Sequence, residues 1–158
     1  MCEYCGCQEV TAIGDLTREH DEVVGLIGAV RAAHAAGDID AMAAQARRIA
    51  EILAPHTVVE EEGLFPLMTE DFPEQVAILR AEHRHVEQVL NAAATATPAD
   101  PAWPDALIEV LHELRVHILK EQDGVFPAAL TTLDGDGWDR VDAVRARVGI
   151  RVPPAEVH

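Results

Sequence analysis

A stretch of sequence occurs twice in this chain. His56-Thr-Val-Val-Glu60-Glu-Glu-Gly63-Leu-Phe65-Pro66 is matched, position for position, by His117-Ile-Leu-Lys-Glu121-Gln-Asp-Gly124-Val-Phe126-Pro127. Upstream of each copy a dipeptide repeats as well, Glu19-His20 before the first and Glu82-His83 before the second, at nearly the same displacement. A repeat of this length with two matched points per copy marks a duplicated pair of elements. Two helical hairpins are what a closed four-helix bundle needs.

The apolar spacing agrees. Helix A is expected from about Asp15 to Ala36, with stripe Leu16, His20, Val23, Val24, Ile27, Val30. Gly37-Asp38 breaks it, and Asp38 can cap the next helix. Helix B is expected from Asp40 to Gly63 or slightly beyond, with stripe Ile49, Ile52, Leu53, His56, Glu60, Leu64; Pro55 should kink it. Helix C runs from Glu74 to about Ala96 with stripe Val76, Leu79, His83, Val86, Leu90. Helix D opens near Pro104 and carries Leu107, Val110, Leu114, His117, Glu121. A short amphipathic helix, Trp138 to Val148, should pack on the bundle. The predicted class is all-α: an up-down-up-down four-helix bundle with a short extra C-terminal helix. Residues 1–14 read as a cysteine-containing tail, 15–130 as the bundle and 131–158 as short helix and tail. With 49% hydrophobic residues but only 4% aromatic, the core is built of Ala, Val, Leu and Ile, which favours helices.

Register brings the repeated residues to one level. In an antiparallel hairpin, residues equidistant from the turn are neighbours. His20 and His56 lie equally far along the chain from Asp38, and His83 and His117 equally far from Asp100. His56 and His83 straddle the Met68–Pro73 connection. All four histidines then share a height roughly 25 Å from the A–B and C–D turns, at ~1.5 Å per residue. Glu60 and Glu121 follow their histidines at i+4, one turn along the same face.

Six such residues on core stripes need an explanation. An unpaired buried charge costs several kcal/mol, and no Lys or Arg lies on these stripes to pair with Glu60 or Glu121. Two cations would resolve this, because carboxylates can bridge metals and imidazoles can complete their shells. The bland alternative is four satisfied core histidines and two protonated glutamates. It accounts for one such histidine but not for six coincident placements related by a repeat. The predicted metal ligands are therefore His20, His56, Glu60, His83, His117 and Glu121.

The pattern H…HxxxE…H…HxxxE resembles that of hemerythrin-like (HHE cation-binding) domains, over about residues 15–130. The resemblance implies a non-haem di-iron centre within a four-helix bundle, with both glutamates bridging the irons. Oxygen-carrying members have a further histidine; here Glu87 stands at i+4 from His83, which argues against oxygen storage. Two octahedral irons offer about twelve positions. Four histidine nitrogens and four carboxylate oxygens fill eight, and an oxo or hydroxo bridge takes one on each iron. About one position per iron is left for a small oxidant. Glu87 or Glu113 is a candidate accessory ligand. Phe65 and Phe126 are expected either to roof the site or only to pack where their helices end. A ferritin-like carboxylate site is the structural rival. Its E-x-x-H pairs, Glu82 with His85 and Glu109 with His112, fall off the apolar stripes. His34, His85, His112 and His158 are read as non-ligands.

Net charge of −16 makes nucleic acid and anionic membrane unfavourable partners. No apolar run approaches a membrane span, the N-terminus does not read as a signal peptide, and a cytoplasmic location is expected. Cys2, Cys5 and Cys7 lack a fourth ligand for a closed zinc site; they read as an accessory or redox-active tail. The expected partner is a small molecule: H2O2 in a catalase-like reaction, or O2. The alternatives are NO or O2 sensing and the repair of iron or iron–sulfur centres.

Overall fold

The computed structural model describes residues 7–154, with side chains from Thr11 onward. Helix α1 spans Cys7–Ala35, α2 Ile39–Val58, α3 Pro73–Asn91, α4 Trp103–Lys120, α5 Phe126–Thr132 and α6 Gly135–Val148. No strand occurs among the described residues. Helices α1 to α4 pack on their sequence neighbours, and α4 closes against α1, consistent with an up-down-up-down bundle. Helix α6 lies across α1, α2 and the segment that follows α2. No helix is long and apolar enough to cross a membrane among the described residues.

Several element ends differ from expectation. Helix α1 begins at Cys7, two turns before Asp15. Ala12 and Leu16, one turn apart, are both buried and continue the apolar stripe past Gly14, so the expected tail boundary at residue 14 falls inside a helix. Helix α3 stops at Asn91 rather than near Ala96. The Arg47 guanidinium donates to the Ala93 carbonyl at 3.1 Å, and Thr97 Oγ1 donates to Asp40 at 2.7 Å, so tertiary partners hold this stretch out of the helix. At the start of α2, Asp38 accepts from the Ala41 amide at 3.0 Å, as a cap should. Gly37 carries the left-handed backbone (φ 68°) that closes α1.

Helix α2 runs through Pro55 and then widens. Val59–Leu64 is a π-helical turn followed by a 3-10 turn, Phe65–Leu67. The second repeat does the same: Glu121–Val125 is π-helical before α5 begins. In each case the Phe amide donates to the Glu carbonyl at i−5, Phe65 to Glu60 and Phe126 to Glu121. The following Pro66 and Pro127 have no amide to continue the ordinary ladder. The two wide turns bracket the ligand-type residues, where such turns often serve function.

The core is divided. One apolar cluster fills the end near the α1–α2 and α3–α4 turns, including Val23, Ile27, Ile52, Leu53, Val86, Leu114 and Ile118. A second holds Leu16, Val59, Leu64, Phe65, Leu79 and Phe126, with Trp138 and Val141 of α6. Between them runs one polar layer, which is the site.

Candidate metal centre

The six predicted residues meet in that layer. His20, His56, Glu60, His83, His117 and Glu121 are all buried, and the two glutamates are 0% exposed. They form two groups that share both carboxylates: His20 and His56 with Glu60 and Glu121, and His83 and His117 with the same pair. Within each group the ligand-type atoms lie within 4.8 Å of one another. The rings of His20 and His56 are 4.7 Å apart, as are those of His83 and His117. The arrangement therefore repeats with the sequence, one histidine pair per hairpin.

Each histidine turns Nε2 inward. His20 Nε2 lies 3.1 Å from Glu121 Oε1 and His117 Nε2 3.2 Å from the same atom. His56 and His83 Nε2 lie 3.3 and 3.2 Å from Glu60 Oε1. These contacts are off the direction a hydrogen bond requires. Both oxygens of Glu60, both of Glu121 and His117 Nε2 are thus buried without a hydrogen-bond partner. Native interiors rarely leave carboxylate oxygens so. A donor set of four imidazoles and two carboxylates facing a common centre is suited to cations of the first transition row, and the orphaned oxygens are what such ions would engage.

Nδ1 of every histidine is held from behind, so its N–H points outward and the Nε2 lone pair inward. His56 Nδ1–H donates to Glu19 at 3.1 Å and His117 Nδ1–H to Glu82 at 3.0 Å. His83 Nδ1–H donates to Glu61 at 2.6 Å and His20 Nδ1–H to the Gln122 amide oxygen at 3.0 Å. Glu19 is itself gripped by Arg145 of α6, with Nη1 and Nη2 donating at 3.0 and 2.7 Å. Reading the sequence by stripes missed this outer set of contacts. The signal was present in the repeat, which carries Glu19 with Glu82 and aligns Glu61 with Gln122. Arg145 lies outside the repeat and had no such signal.

Electrostatics without a cation favour charged imidazoles. Burial works against the His56 imidazolium, but the neighbouring Glu60 charge, the hydrogen bond to Glu19, the close Glu60 contact and the Glu121 charge outweigh it and raise its pKa to about 10. His83 rises to about 9 against the same burial cost, through Glu60, Glu61 and Glu121. His117 is raised by Glu121 and Glu60 despite burial. Glu60 is held well below the usual carboxylate range: its burial is overcome by the His56 charge and by the close His56 and His83 rings. Coulombic attraction at these separations does not need hydrogen-bond direction, so this agrees with the orphaned oxygens.

Phe65 stacks on the His83 ring at 5.8 Å and Phe126 on the His20 ring at 5.6 Å, both nearly parallel. They wall the site toward the second apolar cluster. On the opposite side a cavity of about 20 Å³ touches His20, His56, His83, His117 and Glu121, and is otherwise lined by Leu53, Thr57, Val86, Glu87, Leu114 and Ile118. Glu87 reaches this cavity but accepts from Arg84 at 3.1 Å, and Glu113 lies away from it, paired with His85 at 2.7 Å on the surface. Neither joins the two groups. His34 likewise pairs on the surface with Asp105 at 3.0 Å. Cys2 and Cys5 lie outside the described residues; Cys7 opens α1, its side chain also outside them.

The family model of the hemerythrin HHE cation binding domain matches residues 11–129. The chain belongs to this family. It is thus a cation-binding helical domain, and its buried His/Glu groups are able to hold metal. No curated protein and no solved structure matches the chain. Helix α6, with Arg145, falls beyond the matched segment yet contributes to the support of His56.

Proposed function

We propose that this hemerythrin-family domain holds two iron ions and reacts with a small oxidant, with H2O2 disproportionation as the leading reaction and O2 as the second substrate. The two-ion reading is carried by the shared carboxylates: each histidine pair faces both Glu60 and Glu121, whose four oxygens have no other partner. Iron bound there would supply Lewis acidity and reversible one-electron redox change.

The residues of the chain set what can reach that chemistry. The cavity against the histidines is about 20 Å³, room for a water-sized molecule and little more. Leu53, Val86, Leu114 and Ile118 make its wall apolar, which admits peroxide or a diatomic gas and excludes organic substrates. Thr57 and Glu87 are the polar lining groups outside the two clusters. Thr57 brings a hydroxyl to this lining, and to it we assign the orienting of a bound peroxide. Half-exposed Glu87 links the cavity to solvent and can exchange a proton there. Disproportionation is balanced within the substrate, two peroxides giving two waters and O2, so it calls for no outside reductant.

The test is stopped-flow spectroscopy of the iron-loaded, reduced protein mixed separately with H2O2, O2 and NO, with metal content measured on the same sample. Two irons per chain and sustained O2 evolution from H2O2 are expected. Glu60→Ala and Glu121→Ala should lose iron and the near-ultraviolet absorption together. One iron per chain would overturn the bridged pair, and NO as the sole reactive ligand would favour a sensor.

A further inference from the structure

The repeat is broken at one point in the layer behind the histidines. Glu61 accepts from His83 Nδ1–H; its counterpart in the second copy is Gln122, which offers His20 a neutral amide oxygen instead. The other support keeps the same residue in both halves, Glu19 for His56 and Glu82 for His117.

The counter-charges differ as well. Glu19 is neutralised by Arg145, whose side chain is only 10% exposed. Glu61 pairs with Arg84 and Arg80, and Glu82 with Lys120, through side chains that are 56%, 39% and 43% exposed. Arg145 and Glu19 are both buried, so their charges cancel locally. Glu61 and Glu82 are 15% and 28% exposed, and each is less exposed than the cations that pair with it, which solvent screens more. His83 and His117 are therefore backed by two carboxylates whose charge is still felt in the interior. His20 and His56 are backed by one amide and one carboxylate already cancelled by a buried guanidinium.

A carboxylate draws the Nδ1 proton more strongly than an amide does. That makes Nε2 the better donor and leaves additional negative charge beside the cation. We propose that the two cation positions are unequal: the one between His83 and His117 binds tightly, and the one between His20 and His56 is the weaker, exchangeable position. At limiting metal the chain then carries one ion, at His83 and His117. This rests on the two-ion reading above. Changes in the groups behind metal-binding histidines alter affinity by about 10–100-fold, which sets the expected ratio between the positions.

Zn²⁺ is the probe, being redox-silent and diamagnetic. The full chain, stripped of metal and labelled with ¹⁵N, is titrated with Zn²⁺ while long-range ¹H–¹⁵N spectra follow the four imidazoles. In the wild type the His83 and His117 signals should move during the first equivalent, and those of His20 and His56 during the second. Glu61→Gln should narrow the gap by weakening the first step, and Gln122→Glu by strengthening the second. His20 and His56 moving first, all four moving together, or a gap unchanged in both variants would overturn the inequality. Two ions bound with equal affinity would refute the inequality alone, whereas a single Zn²⁺ per chain would refute the two-ion reading beneath it.

Discussion

Arg145→Met removes a buried cation while keeping much of the side-chain volume. The guanidinium donates two charge-assisted hydrogen bonds to Glu19 and a third to the Gly149 carbonyl at 3.2 Å. Without it, a carboxylate that is 0% exposed is left with the His56 N–H as its remaining donor. Breaking a buried pair from one side costs about 3–5 kcal/mol, because the surviving charge stays desolvated. For a chain of this size that is roughly a 6–20 °C fall in melting temperature. The charge of Glu19 is what makes the loss large: burial alone would raise its pKa, but hydrogen bonds from His56 and Arg145 and their charges hold it below the usual value. Glu19→Gln combined with Arg145→Met should therefore recover a good part of the stability, since position 19 then buries no charge, its amide oxygen still accepts from His56, and Asp15, 4.0 Å from Arg145, keeps Arg18 as its partner. Thermal unfolding followed by circular dichroism, on metal-free and metal-loaded protein, measures all three. A single variant that melts within about 2 °C of the wild type, or a double variant no more stable than the single, would refute the reasoning.

Four further outcomes are expected. Metal loading at about 100 times the dissociation constant should add about 3 kcal/mol to stability, or roughly 5–12 °C in differential scanning calorimetry; equal melting of stripped and loaded protein at neutral pH contradicts the buried site. That gain should widen as pH rises from 6.5 to about 10. The raised pKa values of His56 (about 10) and His83 (about 9) give the metal-free form a stabilisation that is complete below 6.5 and lost as those groups deprotonate, while fewer protons then compete with metal. The repeat-related glycines should respond with opposite sign in urea unfolding: Gly63→Ala destabilises by about 1 kcal/mol, since its Cβ meets the Val141 Cα at 3.3 Å, whereas Gly124→Ala meets nothing within 4 Å and gains up to about 1 kcal/mol of helix propensity. Replacing Cys2, Cys5 and Cys7 by Ser should leave O2 evolution from H2O2 largely intact while His117→Ala abolishes it, measured with an oxygen electrode; loss in the serine variant at unchanged iron content would move the tail into the reaction.

What the sequence made legible follows from where selection of residue type is forced. A histidine or glutamate at a core position conflicts with its apolar neighbours, so His20, His83 and the two HxxxE pairs stood out, and the duplication supplied register. Phe65 and Phe126 were visible through the same repeat, though not their stacking on His83 and His20. The layer behind the histidines conflicts with nothing. Glu19, Glu61, Glu82 and Gln122 sit beside ligand-type residues on helices rich in acidic side chains, where one more carboxylate reads as a solvated face. Helix ends were misplaced for a related reason. The π-helical turns after His56 and His117 depend on a proline several residues downstream, and the early end of α3 on Arg47 from another helix.

Arg145 shows where a repeat-based reading stops. Duplication accounts for both histidine pairs and for both carboxylates between them, and left to itself it would make two equal halves. Three departures converge on the His20 and His56 side. Gln122 replaces a carboxylate behind His20, Arg145 cancels the carboxylate behind His56, and α6 reaches the first hairpin's π-helical turn, where Gly63 allows the close approach. An added helix that touched both halves alike would have served packing alone. This one alters the charge around a single histidine pair while burying Trp138 and Val141 in the second core. Stability and the inequality of the two cation positions therefore share a structural origin, and Arg145→Met should move both: a lower melting temperature together with a Zn²⁺ affinity at the His20 and His56 position that no longer matches the wild type.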